Sequence, residues 1–197
     1  AWVDRANAAL GIETRFMGGT KGSHLVVDSP ELCRALGERM VYYQHSDGRV
    51  CIVYPFMGKA IMGSTDIPVG DPDQAGCDEG EVEYMLATLR GVMPGIEVTR
   101  EQVLFAFCGV RPLPASETEV TAIISRGHTI QVIEPEGERA FPVYALVGGK
   151  LTTFRALAEQ AADRVLGRLG LPRVCSTAHL PIGGGRDFPA TDDARAE

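Results

Sequence analysis

The sequence has no apolar run long enough to cross a membrane as a helix, so we expect no transmembrane segment. It does not open with a basic stretch, an apolar run and a cleavage site, so we expect no signal peptide either. Basic charge is scarce: 19 lysines and arginines stand against 26 aspartates and glutamates, for a formal net charge of −7. Nucleic-acid-binding proteins carry a basic surface, and this balance therefore argues against a nucleic-acid partner.

Cysteine occurs five times, at scattered positions without C-x-x-C spacing. Reduced thiols in a cytosolic protein explain an odd, scattered set more simply than a disulfide framework does. No group of cysteines and histidines has the spacing of zinc ligands, so we predict no metal site. The rest of the composition, 45% hydrophobic and 23% charged in 197 residues, is that of an ordinary globular protein with a substantial core.

The hydrophobic periodicity predicts several short strands and a few helices. Strands are expected at 23–27, 41–45, 49–55, 59–64, 102–110, 121–126, 129–134 and 143–147. Helices are expected at 2–10, 31–40, 79–92 and 152–169, and residues 16–22 are expected to form a loop. Asp47-Gly48 and Gly127-His128 lie between β-rich runs and predict hairpins. These elements indicate an α+β fold with a mostly antiparallel sheet flanked by helices.

The last predicted strand and helix carry two more specific expectations. The strand at 143–147 is continuously apolar, which predicts burial on both faces. The helix after it is expected to bury one face, formed by Phe154, Leu157, Ala161, Val165 and Leu169.

A pair of glycines joins this strand to this helix. The junction consists of Gly148, Gly149, Lys150, Leu151, Thr152 and Thr153. Free backbone N–H groups and the dipole at a helix start suit an anion or the electron-rich edge of a cofactor ring. A lysine is electrostatically unfavourable there, and its presence indicates a negatively charged ligand. A tight strand-to-helix turn without function is the alternative interpretation.

Two arginines are candidates for binding an anion. Arg111 follows an apolar run and precedes Pro112, which keeps the Arg111 backbone extended and aims its side chain reproducibly. A guanidinium offers a planar fork of donors that suits carboxylate or phosphate. Arg126 closes another apolar run at a predicted hairpin corner, where an exposed turn arginine is an equally good interpretation.

Further polar residues stand at strand ends. His24 opens a predicted strand, and a lone histidine is more often structural than catalytic. Ser64 and Thr65 follow the strand at 59–64 and precede Asp66. They are consistent with a simple Ser/Thr or Asx turn, or with a loop beside a cofactor.

Five short segments, taken together, resemble one enzyme family. They are 21–24 (KGSH), 63–66 (GSTD), 109–113 (GVRPL), 125–126 (SR) and 148–153 (GGKLTT). Their order and spacing resemble FAD-dependent glycerol-3-phosphate dehydrogenase, a flavoprotein family with the architecture of D-amino-acid oxidase. Each segment alone is a weak signal, but the set is specific and covers roughly residues 1–169.

The resemblance implies that this chain is an internal portion of a longer flavoprotein. The family carries a G-x-G-x-x-G segment that binds the dinucleotide, and this chain has none. We therefore expect a substrate-binding domain at 1–142, a strand and helix returning to the flavin-binding domain at 143–170, and a linker toward a further domain at 171–197. The isolated fragment is expected to be inactive and not to retain FAD.

The resemblance also assigns roles. It implies oxidation of sn-glycerol 3-phosphate to dihydroxyacetone phosphate, with a hydride passing from C2 to flavin N5. Arg111 and Arg126 would bind the substrate, and His24 and Arg111 would be catalytic, with His24 accepting the proton of the C2 hydroxyl. Backbone N–H groups near Lys150 would stabilise charge on the flavin. The cofactor-binding residues would be Ser64, Thr65, Gly148, Gly149, Lys150, Leu151 and Thr152.

Two other functions stay open at this point. One is a related flavoprotein oxidase of an amine or a hydroxy acid, and the other is an anion-binding module without catalysis. For the dehydrogenase, the resemblance implies quinone or oxygen as the electron acceptor. It also implies a cytoplasmic location, either free or attached peripherally to the cytoplasmic face of the membrane.

Overall fold

The computed structural model describes residues 1–116 and 124–196. The helices are α1 (Val3–Ala8), α2 (Pro30–Leu36), α3 (Glu79–Val92), α4 (Phe154–Arg168) and α5 (Asp192–Ala196). The strands are β1 (Thr20–Val27), β2 (Val41–Gln44), β3 (Val50–Phe56), β4 (Lys59–Gly63), β5 (Ile67–Pro68), β6 (Val103–Arg111), β7 (His128–Ile133) and β8 (Val143–Gly148). Contacts divide the chain into two units: Ala1–Gln131 with Ala145–Gly148, and Val132–Tyr144 with Gly149–Glu197.

Strand β1 is the centre of the larger sheet. One edge of β1 pairs with β4 and then with β5, and its other edge pairs with β6 along the whole strand. β4 continues through β3 to β2, and every one of these pairings is antiparallel. The α+β fold with a mostly antiparallel sheet is therefore confirmed.

The two faces of this sheet differ because side chains alternate along a strand. On one face, Leu25 and Val27 of β1 are fully buried under α2 and α3. On the other face, Phe105 and Phe107 of β6 are 60% and 40% exposed, with their rings stacked 6.1 Å apart. The core on the covered face is formed by Leu25, Val27, Leu32, Leu36, Val53, Ala60, Met62, Val82, Met85, Leu86, Leu89 and Val98.

Helix α3 covers this core because its start and its apolar spacing are both specified locally. The Asp78 side chain accepts a hydrogen bond from the backbone N–H of Glu81, and the Glu81 side chain accepts one from the backbone N–H of Asp78. This reciprocal capping box fixes the first turn. The buried residues of the following turns recur at helical spacing: Val82, Met85, Leu86 and Leu89.

Two local predictions differ from the structure. Strand β1 begins at Thr20, inside the segment predicted as a loop. Of the predicted hairpin between 121–126 and 129–134, the described residues 124–126 form no strand, and β7 pairs with β8. Residues 121–123 lie outside the described residues.

The predicted burial near the end of the chain also differs from the structure. Leu146 in the middle of β8 is 40% exposed, so this strand is not covered on both faces. Helix α4 buries none of its residues within the described part of the chain, and Phe154 is half exposed. Hydrophobic periodicity shows which face of a helix is apolar, but it does not show what covers that face.

Across the described residues, no helix combines the length and the apolar character that a bilayer crossing needs.

We predict that Leu25→Ala lowers the free energy of unfolding by about 2–5 kcal/mol, because it opens a cavity in the core under α3. The matched control is Leu104→Ala in β6, whose side chain is 56% exposed and whose loss should cost less than about 1 kcal/mol. Urea unfolding followed by circular dichroism measures both. Equal losses for the two variants would contradict the burial of Leu25 in this core.

Candidate functional site

The candidate site forms where β4 ends beside β1. Gly63, the last residue of β4, lies opposite His24, and β5 resumes the pairing opposite Lys21. Residues 64–66 therefore leave the ladder beside the middle of β1. On the other edge of β1, Arg111 at the end of β6 lies opposite Thr20. The sheet thus brings residues that are distant in sequence to one place.

The segment 64–66, which leaves the sheet, holds the side chain of Arg111. Its Nη1 donates to the Asp66 carboxylate at 2.9 Å, and its Nη2 donates to the Ser64 hydroxyl at 3.0 Å and to the Thr65 carbonyl at 3.1 Å. The Thr20 hydroxyl donates to the same Asp66 oxygen. The direction of the guanidinium is therefore fixed from several sides before any ligand arrives.

Two glycines make room for the functional side chains. A Cβ at Gly22 would lie 2.2 Å from the Arg111 Nη2, so the guanidinium passes directly over the Gly22 backbone. A Cβ at Gly63 would lie 2.5 Å from the His24 Cδ2. Both glycines are needed for close approach, because any larger residue would displace the arginine or the histidine.

His24 lies on the same face as Arg111. Its imidazole stacks on the Phe107 ring, with ring centroids 5.2 Å apart and planes 11° apart. Burial, and then the positive charge of Arg111, lower the pKa of His24 below its ordinary value of 6.5. Because the pKa lies below 6.5, the imidazole is mainly neutral at pH 7 and able to accept a proton.

The positive charges of two other arginines act on Arg111 although the chain as a whole is acidic. Burial, opposed by Asp66, lowers the pKa of Arg111, and the positive charges of Arg126 and Arg49 lower it further. Arg126 is exposed, and the Arg49 guanidinium lies 5.4 Å from the centre of the Tyr84 ring. Positive side chains that repel one another at this site favour an anionic ligand.

The opposite face of β1 holds a buried carboxylate. Glu81 is 2% exposed, and its Oε2 lies 2.7 Å from the Lys21 ammonium. The hydroxyls of Ser23 and Thr65 donate to its Oε1 at 2.8 and 2.6 Å. Burial opposes ionisation, but Lys21 and these hydroxyl donors outweigh it and hold the pKa of Glu81 below its ordinary value.

The glycine pair at the end of β8 adopts a backbone that other residues rarely adopt. Gly148 and Gly149 have φ angles of 78° and 96°, and a Cβ at Gly148 would lie 2.3 Å from the Gly127 carbonyl oxygen. After this turn, the Lys150 N–H donates to the Thr153 hydroxyl at 3.1 Å. Exposed residues follow, with Leu151 87% exposed, and a 3-10 turn leads into α4.

The structure brings together some of the residues predicted for the site. The first unit contains His24, Ser64, Arg111 and Arg126. Arg111 donates to Ser64 and its charge lowers the pKa of His24, and the charge of Arg126 lowers the pKa of Arg111. Thr65 is there too, but its side chain is 1% exposed and faces Glu81. Gly148 also lies in the first unit, whereas Gly149, Lys150, Leu151 and Thr152 belong to the second.

Sequence reasoning missed Arg49 and Glu81. The capping-box spacing of Asp78 and Glu81 is visible in the sequence, but the ion pair with Lys21 depends on tertiary structure. Arg49 follows a turn signal and looks like an ordinary hairpin residue. It lines a cavity of about 310 Å³, whose other lining residues are Thr65, Ile67, Asp78, Gly80, Glu81 and Tyr84.

A family profile described as FAD dependent oxidoreductase matches residues 1–164. Among curated proteins, glycerol-3-phosphate dehydrogenase of Synechocystis is 33% identical over 180 residues, covering 90% of this chain and 32% of the relative. D-Erythritol 1-phosphate dehydrogenase of Brucella abortus is 32% identical over 161 residues, covering 81% of this chain and 30% of the relative. The chain thus spans about a third of the length of these relatives.

Among solved structures, the chain is similar to glycerol-3-phosphate dehydrogenase from Bacillus halodurans, determined in complex with FAD. The TM-score is 0.73 and the sequence identity is 27%, over 93% of this chain and 34% of the other.

We predict that Arg111→Met raises the pKa of His24, because it removes one cause of the lowered value. The pKa should stay below 6.5, since burial is the larger cause. NMR titration of the imidazole protons measures the change, with Arg90→Met on α3 as the control. An unchanged pKa in Arg111→Met would contradict the electrostatic contact.

The same shift predicts how stability depends on pH. His24 binds a proton less readily in the folded protein than in the unfolded chain, so its contribution to stability falls as the pH drops below 6.5. This loss should be smaller in Arg111→Met than in the parent protein, as measured by urea unfolding between pH 7 and pH 5.

Proposed function

Since the chain belongs to the FAD-dependent oxidoreductase family, we propose that it is the substrate-binding portion of a glycerol-3-phosphate dehydrogenase. The match over residues 1–164 confirms the family resemblance inferred from the motifs. The proposed reaction is oxidation of sn-glycerol 3-phosphate to dihydroxyacetone phosphate. The observation that carries this proposal is Arg111, which Asp66, Ser64 and Thr65 hold on the open face of the sheet and whose pKa the positive charges of Arg126 and Arg49 lower.

The substrate phosphate is the group that this arrangement suits best. A guanidinium has five N–H donors, and Arg111 uses three of them on Asp66, Ser64 and Thr65. The two remaining N–H groups bond to no other described residue, and we assign them to a ligand on the open face. Arg126 and Arg49 add positive charge around the same guanidinium, and a phosphate dianion would relieve their mutual repulsion. We therefore assign Arg111 and Arg126 to substrate binding.

His24 is the proposed proton acceptor for the C2 hydroxyl. Its lowered pKa keeps the imidazole neutral and basic at pH 7. The stack on Phe107 and the close approach over Gly63 fix the plane of the ring, so its nitrogen has a defined direction. Arg111 is placed next to it and would hold the oxygen that becomes the carbonyl of the product.

Two segments of this chain, 64–65 and 148–152, suit contact with a flavin. The Ser64 oxygen accepts from Arg111, which leaves the hydroxyl proton for a ligand, whereas the Thr65 hydroxyl is committed to Glu81 and only its backbone remains. Left-handed Gly148 and Gly149 present a helix start whose first N–H groups lack helical acceptors. We assign Gly148, Gly149, Lys150, Leu151 and Thr152 to the cofactor. FAD, when bound, would accept the hydride from C2 at its N5.

Beyond these residues we propose the division expected from the motifs: substrate binding at 1–142, a return to the flavin domain at 143–170 and a linker at 171–197. Residues of the dinucleotide-binding segment would then come from outside this chain, and the isolated chain would not retain FAD. Quinone or oxygen is the proposed electron acceptor. The proposed location is cytoplasmic, either free or peripheral on the membrane.

A phosphorylated polyol other than glycerol 3-phosphate is a second candidate substrate. The relative from Brucella abortus named D-erythritol 1-phosphate dehydrogenase matches this chain at 32% identity, close to the 33% of the Synechocystis relative. Phosphate recognition by the arginines would suit either substrate. Anaerobic bleaching of the flavin by each polyol phosphate, and by amines and hydroxy acids, separates these functions from one another and from a module without catalysis.

We predict that Arg111→Ala in the FAD-loaded protein raises KM for glycerol 3-phosphate about tenfold to a hundredfold. A charge-assisted hydrogen bond contributes roughly 1.5–3 kcal/mol, and each ~1.4 kcal/mol is a factor of ten. Steady-state kinetics measures the change, and Arg90→Ala, an exposed arginine on α3, is the matched control. An unchanged KM would remove the phosphate-binding role of Arg111.

We predict that His24→Asn lowers kcat by about a hundredfold or more, because positioned proton transfer contributes roughly 10²–10⁴ in rate. The acid limb of the pH profile of kcat/KM should disappear with the imidazole. His179→Asn, a replacement of an exposed histidine in the second unit, should leave both unchanged. Retention of full kcat by His24→Asn would assign the proton to another acceptor, such as water.

A further inference from the structure

The buried carboxylate of Glu81 lies on the covered face of the sheet, away from the proposed substrate. Burying a carboxylate is costly unless hydrogen bonds and an opposite charge compensate for lost hydration. Glu81 has both kinds of partner: the Lys21 ammonium at 2.7 Å, the hydroxyls of Ser23 and Thr65, and the Asp78 N–H at 3.1 Å. These partners come from three parts of the fold: β1, the segment after β4, and the start of α3.

Thr65 joins this carboxylate to the substrate-binding arginine. The Thr65 hydroxyl donates to the Glu81 Oε1 at 2.6 Å and accepts the Ser23 N–H at 2.9 Å. The carbonyl of the same residue accepts from the Arg111 Nη2 at 3.1 Å. Only the atoms of one residue separate the buried carboxylate from the guanidinium.

Strand β1 provides a second connection. Ser23 turns its side chain toward Glu81, and its neighbours Gly22 and His24 belong to the opposite face. Lys21 and Ser23, the residues on either side of Gly22, both bond to Glu81. Glu81 therefore holds the β1 backbone on both sides of the glycine that Arg111 crosses.

We propose that Glu81 is a positioning residue that fixes the Arg111 guanidinium through Thr65. The identity of the substrate in this inference rests on the proposed function, whereas the contacts between Glu81, Thr65 and Arg111 do not depend on it. Glu81 touches neither the substrate nor the cofactor in this arrangement. It determines where the segment 64–66 lies, and that segment supplies the side-chain and carbonyl oxygens that aim Arg111.

The test uses the FAD-loaded protein that carries this chain, with Thr65→Val, Thr65→Ser and Thr88→Val. Valine keeps the volume of threonine and removes the hydroxyl that reaches Glu81, whereas serine keeps the hydroxyl. Thr88 is the matched control: it is 1% exposed like Thr65, but its hydroxyl bonds to the Met85 carbonyl within α3. Calorimetry measures the Kd for dihydroxyacetone phosphate, and kinetics measures KM and kcat for glycerol 3-phosphate.

Thr65→Val is expected to raise Kd and KM by about tenfold or more, since displacement of a positioning group by about an ångström has effects of this size. Flavin content should be unchanged, Thr65→Ser should restore binding, and Thr88→Val should lower the melting temperature without changing Kd. The inference is overturned if Thr65→Val binds like the parent protein, if Thr65→Ser binds as weakly as Thr65→Val, or if Thr88→Val weakens binding equally.

A second readout does not depend on the identity of the substrate. The charge of Arg111 contributes to the low pKa of His24, so a displaced Arg111 should let that pKa rise in Thr65→Val. If the parent protein does not react with glycerol 3-phosphate, the proposed function fails, and the His24 titration still decides the positioning role. If Thr65→Val does not fold, Glu81→Gln is titrated instead: a raised His24 pKa supports the inference, and an unchanged one overturns it.

Discussion

The guanidinium of Arg111 lies across the backbone of Gly22, and the open face of the sheet depends on this crossing. A Cβ at position 22 would meet Nη2 at 2.2 Å, so the side chain of β6 reaches over β1 only because β1 has a glycine there. Once across, it meets Asp66, Ser64 and the Thr65 carbonyl. Strands from both edges of β1 are thereby joined on the face where the substrate is proposed to bind.

Charged side chains lie on both faces of β1, but they differ in how far they are buried and paired. Under the sheet, a carboxylate and an ammonium are paired and nearly dry, which is tolerated because the hydroxyls of Ser23 and Thr65 complete the hydrogen bonding of Glu81. On the open face, Arg111 bonds to Asp66, and the positive charge of Arg126 lowers the pKa of Arg111. The carboxylate on the covered face has its partners within the protein, whereas two N–H groups of Arg111 bond to no other described residue and are the ones we assign to an anion.

Much of the fold could be predicted from local sequence. The hairpin of β2 and β3 follows its Asp-Gly turn, and α3 follows its capping box and apolar spacing. The start of β1 could not be predicted this way, because Gly22 and Lys21 are poor strand formers whose conformation is imposed by pairing with β6. The burial of α4 could not be predicted either, since its apolar face has no cover among the described residues.

The site residues that belong to a sequence motif could be predicted. Those whose side-chain direction depends on tertiary contacts could not. Arg111 was visible because Pro112 fixes the backbone after an apolar run, and the geometry places His24 and Ser64 beside it. The side chain of Thr65, next to Ser64 in the same motif, points to Glu81 instead, since adjacent residues face opposite ways. Glu81 itself gave only a helix-start signal.

The strict alternation along β1 has a consequence for how this segment can change in evolution. The open face carries Thr20, Gly22 and His24. The covered face carries Ser23, which bonds to Glu81, and the core residues Leu25 and Val27. Inserting or deleting a single residue would exchange these roles along the strand, burying an imidazole and exposing leucine at once. Point substitutions can therefore be sampled one at a time here, but changes of length must be confined to the loops on either side.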